Sequence, residues 1–213
     1  MKAADWQAII FDFDGVLVES GDIKTQAFAD LYQSYGKTIV SKVVRYHCLN
    51  GGLSRYQKFR HFQQHLLEMP PLTQDEEREL DRRFSKLVVE AVIASKPVPG
   101  ANELVHKEAT RIPLFIVSGT PEIELNTIIT RRGLEPYFIE VRGSPKSKQT
   151  LIAEILSTYS LTPTGVLMIG DALIDYQSAQ NNNVVFLGRV RTGDKNPFPD
   201  QVNTVFDLNT LLT

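Results

Sequence analysis

The chain has almost no cysteine. Cys48 is the single one, so no internal disulfide can form, and the composition reads as that of a cytoplasmic protein rather than an oxidising-compartment scaffold. With no sequence neighbour to activate it, Cys48 is expected to be a buried structural thiol rather than a nucleophile. Long hydrophobic runs are also missing. Nothing here would span a bilayer, and the N-terminus lacks the basic-then-apolar layout of a signal peptide. Charge of one sign is missing too: 23 Lys and Arg stand against 25 Asp and Glu, for a net charge of -2. That balance gives no general attraction to nucleic acid or to an anionic membrane. No Gly-x-Gly-x-x-Gly follows the first apolar run, which argues against dinucleotide binding. There is no internal repeat and no low-complexity segment.

What is present is a globular composition over 213 residues, 42% hydrophobic and 23% charged, enough for an α/β core with one insertion. Short apolar runs at Trp6–Phe11, Leu114–Val117, Tyr137–Val141, Val166–Ile169 and Val184–Leu187 end in glycine or polar turn residues and predict strands. Helical patterns lie between them, at Ala101–Ala109, Glu122–Arg132, Lys148–Tyr159 and Ala172–Gln180. Strand–helix alternation of this kind predicts a Rossmann-like, doubly wound parallel sheet with helices on both faces.

Residues 16–96 break the alternation. They read as helices at Asp22–Tyr35, near Val43, at Arg55–Leu67 and at Asp75–Ala94, with at most a weak strand at Thr38–Val40. Thr73 with Glu76, and Ser54 with Gln57, have the spacing of capping boxes. Pro97-Val98-Pro99-Gly100 reads as a hinge back into the core. The expected division is therefore residues 1–15 and 97–213 for the α/β core and 16–96 for an inserted helical domain.

In open parallel sheets the ligand lies outside the carboxyl ends of the strands. After the first strand come Asp12 and Asp14, and after the second Ser118-Gly119-Thr120. The segment after the third carries Lys146 and Lys148, and the fourth runs into Gly170-Asp171 with Asp175 beyond it. Carboxylates sharing one rim repel unless a hard divalent cation sits among them, and oxygen donors completed by water and a substrate phosphate are how Mg2+ is held.

In this order, Asp12-Phe13-Asp14-Gly15-Val16-Leu17, Val117-Ser118-Gly119-Thr120, the Lys146/Lys148 segment and Gly170-Asp171-Ala172-Leu173-Ile174-Asp175 resemble the four motifs of the haloacid dehalogenase superfamily. The insert falls where that family places its helical C1 cap, and the chain resembles its phosphoglycolate phosphatase and β-phosphoglucomutase branches. The resemblance implies a Mg2+-dependent phosphatase acting on a small phosphorylated metabolite. Asp12 would be the nucleophile that forms an aspartyl-phosphate, and Asp14 the general acid and base. Ser118, Gly119 and Thr120 would meet the phosphate, and the metal would be held by Asp12, Asp14, Asp171 and Asp175. Either lysine would balance transition-state charge. Ser147 reads as an N-cap that puts Lys148 in the first helical turn facing the rim, so Lys148 is preferred and Lys146 is the alternative.

Gly51-Gly52-Leu53-Ser54-Arg55-Tyr56 is a glycine loop entering a helix. It reads equally as a connection and as a cap loop in which Gly52, Arg55 and Tyr56 contact the leaving group. His61 and His65 are four apart but have no further ligands, so they read as a polar helix face. A sugar phosphomutase of the same superfamily, and a non-catalytic binding module on this fold, are the competing readings. The substrate and the oligomeric state are not encoded in these motifs.

Overall fold

The computed structural model describes residues 6–212. Its centre is a parallel six-stranded sheet: β1 (Ala8–Phe11), β2 (Leu114–Pro121), β3 (Glu140–Ser144), β4 (Val166–Gly170), β5 (Val185–Arg189) and β6 (Thr204–Val205), in the order β3-β2-β1-β4-β5-β6. β1 is central, with Ile10 opposite Phe115 on one side and Met168 on the other. Because side chains alternate along a strand, the two faces of β1 feed separate cores. Ile9 and Phe11 pack with Leu114, Ile116, Leu167 and Ile169, while Ala8 and Ile10 pack with Phe115, Val117, Val166 and Met168. Strands buried on both faces explain why the sequence shows them as continuous apolar runs.

Around the sheet run α5 (Ala101–Glu108), α6 (Glu122–Arg131), α7 (Lys148–Thr158) and α8 (Leu173–Asn181). Between β1 and α5 lies an all-helical insert of α1 (Gly21–Leu31), α2 (Lys37–Leu49), α3 (Arg55–His61) and α4 (Gln74–Ala94). Phe28, Phe59, Phe62 and Phe84 form its interior, with Phe28 and Phe84 ring centroids 4.4 Å apart. These rings belong to the same apolar cluster as Phe11 and Phe13, so insert and sheet share one continuous core.

Several local expectations are corrected. Thr38–Val40 is not a strand but the start of α2, because burial of Val43 favours a helical register over β-branched propensity. Pro136 sits in a 3-10 turn at Glu135–Tyr137, which delays the third strand to Glu140–Ser144. The helix expected to end at Leu67 leaves α geometry at Phe62–Leu66, a π turn in which the Leu67 N–H donates to the Phe62 carbonyl at 2.9 Å. Thr73 and Glu76 do form a capping box. Ser54 does not, since its hydroxyl is buried without a partner instead of bonding the first amides of α3. Cys48 is exposed on α2, not buried. No helix among the described residues is long and apolar enough to cross a membrane.

Candidate active site

The carboxyl ends of β1, β2 and β4 meet under the insert. Asp12 follows β1 directly, and its N–H donates to the Ile169 carbonyl of β4 at 2.9 Å, so the sheet itself fixes where its carboxylate stands. One oxygen, Oδ1, accepts from the Phe13 N–H at 2.7 Å. Asp171, one residue past β4, comes close enough to the Asp12 loop that Gly15 is obligatory. Gly15 has φ +76°, and a Cβ there would lie 2.0 Å from Asp171 Oδ2. Carboxylate oxygens of Asp12, Asp171 and Asp175 lie within 4.8 Å of one another.

Lys148 is the cation inside this cluster. It opens α7 behind Ser147, whose hydroxyl accepts from the Thr150 N–H at 3.1 Å, and it is 5% exposed. Its Nζ lies 2.9 Å from Asp12 Oδ1 and 2.5 Å from Asp175 Oδ1. Lys146 points away from the cluster and pairs with Glu154 at 2.6 Å on the surface. Asp175 is buried with both oxygens engaged, Oδ1 by Lys148 and Oδ2 by the Ala172 N–H at 3.1 Å.

The ionisation pattern follows from burial and charge. Asp12 is pushed up from the ordinary 3.8 to about 7, first by loss of solvation, with Lys148 opposing and Asp175 and Asp14 adding to the rise. Asp171 is raised well above its ordinary value by burial and then by Asp12 and Asp175. Burial alone would lower Lys148, but Asp12 and Asp175 outweigh it and hold the ammonium above its usual value.

Asp14 has a different environment. Its carboxylate accepts from Ser20 Oγ at 2.6 Å and Thr120 Oγ1 at 3.0 Å, and is ion-paired with Lys24 of α1. Burial would raise it, yet Lys24 and these hydroxyls win and hold it below the carboxylate range. Lys24 also donates to Thr120 Oγ1 at 2.7 Å. This lysine has no motif around it and sequence reasoning passed over it; its only signal is the helical register of α1.

Ser118, Gly119 and Thr120 occupy an irregular stretch of β2, where pairing with β3 skips from Val117 to Pro121. Such irregularities re-aim side chains beside functional sites. Ser118 is buried, and its Oγ accepts from the Thr120 N–H at 3.1 Å, leaving its O–H as a donor.

Between rim and insert lies a cavity of about 110 Å3, floored by Asp12, Asp14 and Asp171 and walled by Gly52, Lys24 and Lys58. The glycine loop is part of that wall: a Cβ on Gly119 would meet the Gly52 carbonyl at 2.5 Å. Arg55 lines the cavity but is committed, with Nη1 2.9 Å from Glu124 Oε2 and Nη2 paired with the same carboxylate of α6. Tyr56 is turned off the cavity and donates its hydroxyl to Asp81 Oδ2 at 3.1 Å. His61 stacks on Tyr46 at 3.8 Å, away from the rim.

Residues 9–188 match the sequence profile of the haloacid dehalogenase-like hydrolase family. The chain belongs to this family. It is accordingly a hydrolase with the Rossmann-like core and helical cap of that fold. Phosphoglycolate phosphatase of Synechococcus elongatus is 26% identical, over 84% of this chain and 81% of that protein. β-Phosphoglucomutase from Clostridium difficile superposes with a TM-score of 0.78, at 17% identity over 97% of this chain and 93% of that one. A predicted phosphoglycolate phosphatase from Haemophilus somnus gives 0.73, at 19% identity over 99% and 98%.

Proposed function

We propose that this hydrolase is a Mg2+-dependent phosphatase for a small phosphorylated metabolite, working through an aspartyl-phosphate on Asp12, with residues 16–96 as its cap. The observation that carries the reading is the three-carboxylate cluster with Lys148 inside it, at the strand ends and beneath the insert. The curated relative that acts on phosphoglycolate supports the phosphomonoester class.

The donor set suits a hard divalent ion. Oxygens of Asp12 and Asp171 lie within 4.8 Å of each other with their proton affinities raised, first by burial and then by neighbouring carboxylates, and a cation bound between them would offset both costs. Asp12, Asp171 and the Asp14 main chain would hold Mg2+. Asp175, with both oxygens engaged, holds Lys148 in place. When bound, the ion supplies charge neutralisation between the nucleophile and the phosphoryl oxygens.

Asp12 attacks phosphorus through its free carboxylate oxygen while the ester P–O bond breaks. Asp14 gives a proton to the leaving oxygen, then removes one from the water that cleaves the aspartyl-phosphate and releases inorganic phosphate. In this arrangement Lys24 keeps Asp14 ionised, as the second half requires, and acid action in the first half requires that contact to open. Lys148, with the Ser118 hydroxyl and the amide of Gly119, meets charge on the phosphoryl oxygens.

The test is turnover of small phosphate esters by purified protein, with and without Mg2+, alongside Asp12→Asn. Activity that is lost on chelation, restored by Mg2+ and absent in Asp12→Asn is expected. Substantial turnover by Asp12→Asn or in excess chelator overturns the mechanism. A phosphorylated product in place of free phosphate assigns the chain to phosphoryl return instead of hydrolysis.

A further inference from the structure

The cations that reach the cavity are nearly all committed. Lys24 is held by Asp14 and Thr120, and Arg55 by Glu124. Lys148 lies beneath the floor between Asp12 and Asp175. Lys58 of α3 is different. It is 3% exposed, lines the cavity from the insert side, and among the described residues has no ion pair. Its neighbours are His47 Nδ1 at 2.9 Å and the face of Phe28, with Nζ 5.5 Å from the ring centroid.

A buried ammonium with only neutral contacts is unfavourable unless an anion completes it. The protein shows that cost: the Lys58 proton affinity is pulled down to about 7, chiefly by burial and then by Lys24, with Cys48 and Asp14 offsetting only in part. His47 is pushed down to about 3 by burial, Lys58 and Lys24, so its imidazole is neutral and its Nδ1, 2.9 Å away, can accept from a Lys58 ammonium. A buried lysine that lines a cavity, and whose one hydrogen-bond neighbour is neutral, is built for a negatively charged guest. The phosphoryl group is not that guest, because it belongs at the Asp12 end with Lys148.

We propose that Lys58, oriented by His47, binds a second anionic group of the substrate, a carboxylate or a second phosphoryl group carried on the leaving side of the ester. This rests on the phosphatase reading above and narrows its substrate class to phosphomonoesters that carry a second anionic group beyond the phosphoryl group. Phe28 and Phe84, which also line the cavity, would confine the short carbon stem between the two charges. A neutral polyol or a free sugar monophosphate would leave Lys58 buried and unmatched, which is how a polar pocket rejects a substrate lacking its partner.

Three esters of matched length separate the cases: phosphoglycolate, ethylene glycol bisphosphate and 2-hydroxyethyl phosphate. In the wild-type protein with Mg2+, kcat/KM for at least one charged-end ester should exceed that for hydroxyethyl phosphate by tenfold or more, and which one leads names the anion. Lys58→Met, or Lys58→Gln if the first variant does not fold, should collapse that ratio toward one, while Lys58→Arg keeps most of it. A ratio near one in the wild type, or an unchanged ratio in Lys58→Met and Lys58→Gln, overturns the assignment. If the wild type turns over no phosphate ester at all, the phosphatase reading fails; if it turns over others but none of these three, calorimetric binding to Asp12→Asn still decides the subsite. Tighter binding of a charged-end ester that disappears in Asp12→Asn/Lys58→Met supports it, and equal binding of all three esters overturns it.

Discussion

Replacing Lys148 with methionine removes the only positive charge that, among the described residues, is in direct contact with the carboxylate cluster, and its consequence can be worked from the geometry. At 2.9 Å and 2.5 Å, each contact is worth about 6 kcal/mol gross at an effective dielectric near 20. Desolvating the ammonium cancels much of that, and breaking a buried pair from one side leaves a net loss of about 3–5 kcal/mol. For a chain of this size each kcal/mol moves Tm by about 2–4 °C, so in chelator at pH 8 Lys148→Met should melt roughly 6–20 °C lower. The sign with pH follows from the raised Asp12. Folded, it titrates near 7 rather than 3.8. At pH 5 the cluster therefore holds protons of its own and depends less on the lysine, and the gap should shrink. Saturating Mg2+ at pH 8 should narrow it too, because the ion replaces the missing charge. Lys146→Met is the control, since an exposed pair of this kind is worth under about 1 kcal/mol. Melts followed by circular dichroism at both pH values decide the matter. An equal loss at pH 5 and pH 8, or an equal loss in Lys146→Met, would show that Lys148 does not act by neutralising the cluster.

Other perturbations read other parts of the site. In chelated wild-type protein, Asp12 is raised above its unfolded value, so the stability it contributes is full below about pH 4 and is lost as pH climbs through about 7; added Mg2+ should thus raise Tm more at pH 8 than at pH 5, and an equal rise would contradict the charged-cluster account. Arg55 joins α3 to Glu124 of α6, and Arg55→Met should cost about 3 kcal/mol in urea unfolding, with Arg55→Met/Glu124→Met costing less than the two singles added together; strict additivity would mean that the clasp is not coupled. Lys24→Met frees Asp14 from the cation that holds it ionised, so the limb of the kcat/KM profile that reports Asp14 should move to higher pH, and an unmoved limb would remove Asp14 from the proton transfers.

The parts of this molecule legible from sequence are those with local causes. Buried parallel strands are continuous apolar runs, so β1, β2 and β4 stand out, and with them the residues at their carboxyl ends. Asp12, Asp14, Asp171 and the Ser118 segment fall together because each follows such a run. Thr73-x-x-Glu76 and Ser147 announce their helix starts because capping is settled within four residues. What failed depended on distant neighbours. Thr38–Val40 is helical because Val43 has a partner core to enter, and Ser54 is not a capping hydroxyl because the glycine loop before it is pressed against Gly119.

The cavity wall was the least legible part, and the reason is physical rather than statistical. Lys24, His47 and Lys58 come from three different helices of the insert, and nothing in the spacing of 24, 47 and 58 encodes their meeting. A lysine on an amphipathic helix is ordinarily a solvated charge, since leaving it in water costs nothing. Only the packing of Phe28, Phe59 and Phe84 beneath these helices closes the water off and turns Lys58 from a surface charge into a buried one. The acidic floor is built the other way round, from motif residues at the ends of adjacent strands whose register the main chain fixes. Chemistry common to a fold is written in such local motifs. Selectivity, as proposed for Lys58, would be written in side chains that acquire their character only where the insert packs over the sheet, and the Gly52 loop resting on Gly119 is where those two kinds of information touch.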